Sequence, residues 1–149
     1  MQLSQHFTFE ELTRSVTARN RAIDNTPSKS DLANLKLLAE TVLEPLRIAF
    51  GKPIIVSSGY RCQELNKAVG GSRTSQHLLG QAADIHAMGS TKEDNKALFE
   101  TAVSLIRQGK INVGQCIDEY NYSWVHITIP GKHVNNIIHI KRKRRIFLC

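Results

Sequence analysis

Cysteine is scarce in this sequence, and its scarcity excludes two kinds of site. The 149 residues include only Cys62, Cys116 and Cys149, which are widely separated and odd in number. Because no Cys-x-x-Cys pair is present, neither a disulfide framework nor a cysteine-based structural zinc site is predicted. We expect a reducing compartment, with Cys62 and Cys116 packed as small apolar groups and Cys149 as an exposed free thiol.

Long apolar runs and a leader segment are also missing. No run approaches the roughly 20 residues that a membrane-spanning helix needs. The N-terminus, MQLSQHFTFEE, has no basic start followed by an apolar stretch, so no standard secretion signal is predicted. No repeat, low-complexity stretch or long linker divides the chain. We therefore expect one domain over residues 1–149, made and kept in the cytoplasm unless something else exports it.

Acidic residues are fewer than basic ones, and the basic excess is uneven. The net charge is +7, and residues 141–145, KRKRR, form a basic block within a predicted C-terminal strand or tail over 136–149. No aromatic platform or recognition-helix pattern accompanies the block, so specific nucleic-acid binding is not favoured. The block is either a solvated tail or a patch attracted to an anionic surface, such as a cell-wall polymer or a membrane.

The spacing of apolar residues predicts helices mainly at the start and strands later. Helices are predicted over 9–12 after the cap Thr8, from Ser28 or Ser30 to about Phe50 with a kink at Pro45 and an end at Gly51, over about 62–69, and over 93–108. Residues 15–29 look irregular. Strands are predicted over 53–57, 82–88, 113–119, 123–129 and 136–142. This order predicts an α+β fold, a small antiparallel sheet with N-terminal and flanking helices.

Two histidines and one aspartate in or beside the predicted strands suggest a metal site. Asp84 lies in the apolar stretch after His77, and His126 lies in a later strand. Two imidazoles and one carboxylate are ligands typical of a catalytic zinc, which keeps a fourth position open for water. If the two strands are neighbours, alternation lets Asp84 and His126 converge. Each residue taken singly is better explained by an ordinary hydrogen-bonded role or, for Asp84, by a buried pair.

Ordered motifs around these residues are specific enough to indicate a family. They are HFTFEEL at 6–12, DNTP at 24–27, SGYR at 58–61, Asn66, GGS at 70–72, SQH at 75–77, GQAADI at 80–85 and WVHI at 124–127. Together they resemble the zinc D-alanyl-D-alanine carboxypeptidase family, which includes vancomycin-resistance dipeptidases and phage L-alanyl-D-glutamate endolysins. The likeness is to short, single-domain members from phages and prophages, and it spans roughly residues 6–129.

The resemblance implies roles for individual residues. His77, Asp84 and His126 match the zinc ligands, and Arg61 matches the arginine that meets the substrate carbonyl or its developing oxyanion. Three further residues are expected near the substrate, each with a structural alternative. Ser75 holds a substrate carboxylate, orients His77, or only caps a loop. Trp124 forms a wall of the site or packs in the core. Gln81 lies near the metal ligands.

The general base is the point at which this chain departs from the family pattern. Several relatives place Glu or Asp three residues before the last histidine, where this chain has Ser123. Short phage-type relatives carry a glutamate in the preceding strand, and Glu119 matches it. We expect Glu119 to be the base, with Asp118 as second choice, and strand alternation puts only one of them on the inner face.

The resemblance implies a zinc peptidase that cuts the peptide stem of bacterial peptidoglycan, either as a D,D-carboxypeptidase or as a lytic endopeptidase. The enzyme would be a monomer that reaches the wall after release from the cytoplasm, and residues 141–145 would help it hold an anionic wall polymer. The alternative from another class is a non-catalytic zinc-bearing module that binds the wall or belongs to a phage particle. Ser123 at the usual acid position supports that alternative.

Overall fold

The protein has helices that precede and flank a five-stranded sheet, in a computed structural model that describes residues 1–142. The strands are β1 (Ile54–Ser58), β2 (Ala82–Ala87), β3 (Gln115–Glu119), β4 (Trp124–Thr128) and β5 (Asn136–Ile140). Their order across the sheet is β1-β2-β4-β3-β5. All neighbours are antiparallel except β3 and β5, which are parallel. The predicted α+β class is confirmed, while the single domain over 1–149 stays a prediction. Most of the basic block, from residue 143, and Cys149 lie outside the described residues.

The helices of the described residues follow the predicted order, with one addition. They are α1 (Phe9–Thr13), α2 (Val16–Asn20), α3 (Lys29–Leu38), α4 (Glu44–Phe50), α5 (Gln63–Ala68) and α6 (Lys92–Arg107). At α1 the predicted cap Thr8 is part of a capping box, because Thr8 and Glu11 each accept a hydrogen bond from the other's backbone N–H. Helix α2 lies where an irregular segment was expected, because it buries only Ala18 and so leaves no apolar stripe in the sequence. No helix within residues 1–142 is long and apolar enough to cross a membrane.

The predicted long helix is interrupted just before its proline. A π-helical segment, Ala39–Leu43, joins α3 to α4, and Pro45 follows in the first turn of α4. A proline has no N–H to donate and its ring crowds the carbonyl four residues earlier, so a wider turn at this point relieves the conflict. Gly51 ends α4 with a left-handed φ of 72°, as predicted.

The two faces of the sheet have different environments. One face is covered by α6 and contributes fully buried apolar side chains to the core, including Ile85, Val125 and Ile127. Because side chains alternate along a strand and in-register residues share a face, Asp84 and its partner His126 point to the opposite face. The polar candidates are therefore held by strands whose other face is anchored in the core.

The backbone of α1 packs closely against the residues that follow β1. A Cβ atom on Gly59 would lie 2.3 Å from the backbone carbonyl oxygen of Leu12, which also accepts a hydrogen bond from the Tyr60 N–H at 2.8 Å. We expect Gly59→Ala to lower the free energy of unfolding by about 1–3 kcal/mol, because backbone rather than a flexible side chain must move. Thermal or urea unfolding measures the change. Gly131→Ala is the control, because nothing lies within 4 Å of its added Cβ. Equal stability of the two variants would contradict the prediction.

Candidate metal centre

His77, Asp84 and His126 converge on the face of the sheet opposite α6. Asp84 lies between the two histidines, with Oδ1 2.8 Å from His126 Nδ1 and Oδ2 3.3 Å from His77 Nε2. One ligand atom from each residue lies within 4.8 Å of the others. The neighbouring strands β2 and β4 supply Asp84 and His126 in register, and a 3₁₀ helix, Gln76–Leu79, supplies His77. The three side chains could therefore hold one metal ion.

The orientation of His77 is fixed by the loop that follows β1. Its Nδ1 lies 2.7 Å from the Gly59 carbonyl oxygen, and a carbonyl can only accept, so Nδ1 carries the hydrogen. That tautomer leaves the lone pair on Nε2, the atom that faces Asp84. The backbone N–H of Arg61 in turn donates to the backbone carbonyl of His77 at 3.0 Å. His77 is almost fully buried, so its imidazole is held in one direction.

Charge at the centre suits a cation. Burial by itself would raise the pKa of Asp84, but His77 and His126 outweigh it and hold that pKa well below its ordinary range. Burial lowers the pKa of His126, whereas its hydrogen bond to Asp84 raises it, and the net direction is upward. The ionised carboxylate and the two imidazoles, once His126 has released its proton, form a donor set that fits zinc. His86, on the same face of β2, instead places its Nδ1 2.8 Å from the Ala87 carbonyl oxygen and lies outside the cluster.

Arg61 stands beside the centre in a fixed position. Its Nη2 lies 3.6 Å from Asp84 Oδ2, its Nε donates to Ser58 Oγ at 3.1 Å, and its Nη1 donates to Asn66 Oδ1 at 3.1 Å. Asn66 is buried and donates to the Ser72 carbonyl at 2.8 Å. A side chain at Gly71 would collide with both Asn66 and Arg61. The motif residues Asn66 and Gly71 therefore orient the guanidinium, which the sequence did not reveal.

The two candidate bases lie on opposite faces of the sheet. Glu119 lies on the same face of the sheet as His126. Burial has the largest effect on the pKa of its carboxyl and raises it. The charges of His126 and Arg61 oppose this rise, and the charge of Asp84 adds to it. Asp118 is fully buried on the helix side, where it accepts a hydrogen bond from the Tyr122 N–H at 2.5 Å and contacts His139. Burial raises the pKa of Asp118. Of the two acids, only Glu119 shares the face of the metal candidates.

The turn between β3 and β4 has an uncommon backbone. Tyr120, Asn121 and Tyr122 all have left-handed φ angles, of 57°, 56° and 65°. Such angles are unfavourable for bulky residues and persist where surrounding contacts impose them. One contact is Asn95, which is fully buried and joins the Ala87 N–H to the Tyr122 carbonyl through two hydrogen bonds of 2.9 Å. This role was not predicted, because Asn95 is a polar residue within a helix that was recognised by its apolar stripe.

The remaining candidates make local structural contacts. Ser75 caps the 3₁₀ helix by accepting the His77 N–H at 3.2 Å, which is the capping alternative. Trp124 packs edge-on against Tyr120, with ring centroids 5.0 Å apart. Gln81, just before β2, forms backbone hydrogen bonds to the 3₁₀ helix and to the residue that follows β4. The Ser123 hydroxyl donates to the Tyr120 carbonyl at 2.8 Å, away from any acid–base role. The involvement of these residues with a substrate stays a prediction.

Comparison with known proteins identifies the family but not a near relative. Residues 5–128 match the family described as Peptidase M15. The matched segment contains the three metal candidates together with Arg61 and Glu119. No curated protein matches the chain. Because the family match covers well over half of the sequence, the chain belongs to the Peptidase M15 family.

Proposed function

We propose that this M15 peptidase is a zinc enzyme that hydrolyses the peptide stem of bacterial peptidoglycan. One observation carries the proposal, which is the convergence of His77, Asp84 and His126 within the segment that matches the family. Glu119 and Arg61 on the same side of the sheet supply the acid–base and electrostatic groups that hydrolysis needs. The motifs similar to those of short phage-type enzymes support the substrate class, and the peptidase family implies a peptide substrate.

The reaction adds water to the scissile carbonyl and breaks the C–N bond. A zinc ion held by His77, Asp84 and His126 would supply Lewis acidity and lower the pKa of water. Glu119 takes a proton from the attacking water and passes it to the nitrogen of the leaving amine. Its raised pKa makes it a better proton acceptor than an exposed glutamate, because the carboxylate is less well solvated.

Arg61 stabilises the negative charge that develops on the carbonyl oxygen. Ser58 and Asn66 already fix its guanidinium, so little reorganisation is needed when the charge forms. Its contact with Asp84 is longer than a hydrogen bond, which leaves the guanidinium able to contact a substrate oxygen. Arg61 therefore acts mainly in the transition state rather than as a metal-site partner.

The cleaved bond follows one of two patterns. A D,D-carboxypeptidase removes a terminal D-Ala, whereas a lytic endopeptidase cuts inside the stem. The phage-type motifs favour the endopeptidase, and the basic block at 141–145 supports attraction to an anionic wall polymer. In this reading the enzyme acts on the wall after release from the cytoplasm.

Digestion of purified peptidoglycan sacculi by the zinc-loaded protein tests the proposal. We expect products that mass spectrometry identifies, and we expect them to disappear with His126→Ala. Loss of terminal D-Ala indicates a carboxypeptidase, and release of stem fragments indicates an endopeptidase. If folded, zinc-loaded protein releases nothing from sacculi of several wall chemistries, the enzyme proposal is wrong and the non-catalytic zinc module replaces it.

A further inference from the structure

A groove beside Arg61 is not used by the reaction described above. It has a volume of about 330 Å³ and lies between the α1–α2 corner, the end of β1 and α5. We call it the Arg14 groove. Its polar lining consists of Arg14, Ser15, Thr17, Ser57, Ser58 and Arg61. Helix α2, which the sequence did not predict, packs beside α5 and forms one wall of the groove.

The lining of the Arg14 groove is positively charged. Two of its residues are arginines, and none of its lining residues is acidic. The Arg14 side chain is exposed, and it forms no ion pair or side-chain hydrogen bond with any residue between 1 and 142. A guanidinium with unused donors beside several hydroxyls favours a carboxylate ligand, since charge-assisted pairing with planar oxygens is its strongest interaction.

Arg61 and Ser58 connect the lining of the groove to the metal centre by their contacts. Arg61 lines the groove and places its Nη2 3.6 Å from Asp84 Oδ2. Ser58 lines the groove as well and is the β1 residue paired with Asp84 in the sheet. An extended peptide advances about 3.3 Å per residue, so a chain whose scissile carbonyl meets Arg61 enters the groove within one or two residues.

We propose that the Arg14 groove is a substrate subsite that binds a carboxylate one or two residues from the scissile bond. Arg14 pairs with that carboxylate while Arg61 remains with the reacting carbonyl. Val16 and Val69, which are 64% and 46% exposed, line the same groove and contact a small apolar side chain such as the methyl group of alanine. This inference rests on the proposed function. The carboxylate is either the chain terminus or the free carboxylate of an internal glutamate, and the two sources are chemically alike.

Amidated substrates separate the two sources. Three synthetic stem peptides are compared: one with its glutamate and terminal carboxylates both free, one amidated at the glutamate, and one amidated at the terminus. Zinc-loaded wild type is compared with Arg14→Gln and with Arg19→Gln, a matched control on an exposed arginine outside the groove. We expect Arg14→Gln to raise KM about tenfold or more with kcat little changed. Arg19→Gln should behave as wild type, and Arg14→Lys should recover part of the loss.

For one of the two amidated peptides, wild type and Arg14→Gln should have similar KM values. The carboxylate that is amidated in that peptide is the one that binds Arg14. If wild type cleaves the free peptide but Arg14→Gln changes KM no more than Arg19→Gln does, the groove proposal is wrong while the peptidase proposal stands. Equal KM values of wild type for all three peptides lead to the same rejection. If wild type cleaves neither the peptides nor sacculi, the proposed function fails and the subsite falls with it.

Discussion

Glu119→Gln is expected to lower the rate of hydrolysis by about 10²–10⁴-fold without changing the zinc content of the protein. The amide keeps the shape of the side chain but cannot accept a proton from water. Since Glu119 is not one of the three residues whose ligand atoms cluster, metal binding should persist. Single-turnover rates on a stem peptide or on sacculi, together with zinc analysis of the same sample, measure the two quantities separately.

Two matched variants make this result specific. Glu93→Gln changes an exposed glutamate in the first turn of α6 and should leave the rate unchanged. Asp118→Asn tests the second candidate base, and we expect it to affect stability more than rate, because its carboxylate is buried on the other face against Tyr122 and His139. A large loss of rate in Asp118→Asn with little loss in Glu119→Gln would reverse the assignment.

Asp84→Asn is expected to abolish tight zinc binding and, with it, hydrolysis. The ionised carboxylate is the one negative group among the three candidate ligands, and a neutral amide is a much weaker ligand for a divalent cation. Zinc content after dialysis, measured by elemental mass spectrometry, gives the stoichiometry directly. The variant also leaves the partly buried Arg61 without its nearest anion, so thermal unfolding is measured to show that loss of metal is not loss of fold.

His86→Ala is the control for the metal prediction. His86 lies two residues along the same strand and on the same face as Asp84, yet its ring bonds to the backbone of its own strand. The His86→Ala variant should keep one zinc per chain and full activity. Zinc retained by Asp84→Asn at wild-type affinity, or lost by His86→Ala, would show that the metal lies elsewhere.

Local sequence patterns were sufficient to predict most of the fold. Strands and long helices were found because their apolar residues recur with the period of the element, as in the buried face of β4 and the stripe of α6. Helix α2 was missed because it buries a single side chain. The parallel pairing of β5 with β3 could not be predicted either, because strand order depends on packing between segments distant in sequence.

The candidate site was predictable to the level of residue type but not of contact. Alternation along a strand correctly implied that just one of Asp118 and Glu119 lies on the face of the metal candidates, and the register of β3 against β4 shows that Glu119 is that residue. Buried asparagines such as Asn66 and Asn95 carried no periodic signal, because their importance comes from backbone groups far away in the sequence. Side-chain amides of this kind become recognisable only when their partners are known.

The left-handed turn at residues 120–122 has a consequence for insertions and deletions. Surface turns usually tolerate changes of length, because the strands that they join keep their register. Here Glu119 precedes the turn by one residue, and Trp124 begins the next strand immediately after Ser123. Adding or removing one residue would shift β3 by one position against β4, and a shift of one position turns every side chain to the other face. Such a variant would turn Glu119 toward α6 and Asp118 toward the metal candidates, so the length of this hairpin decides which of the two acids can serve as the proposed base.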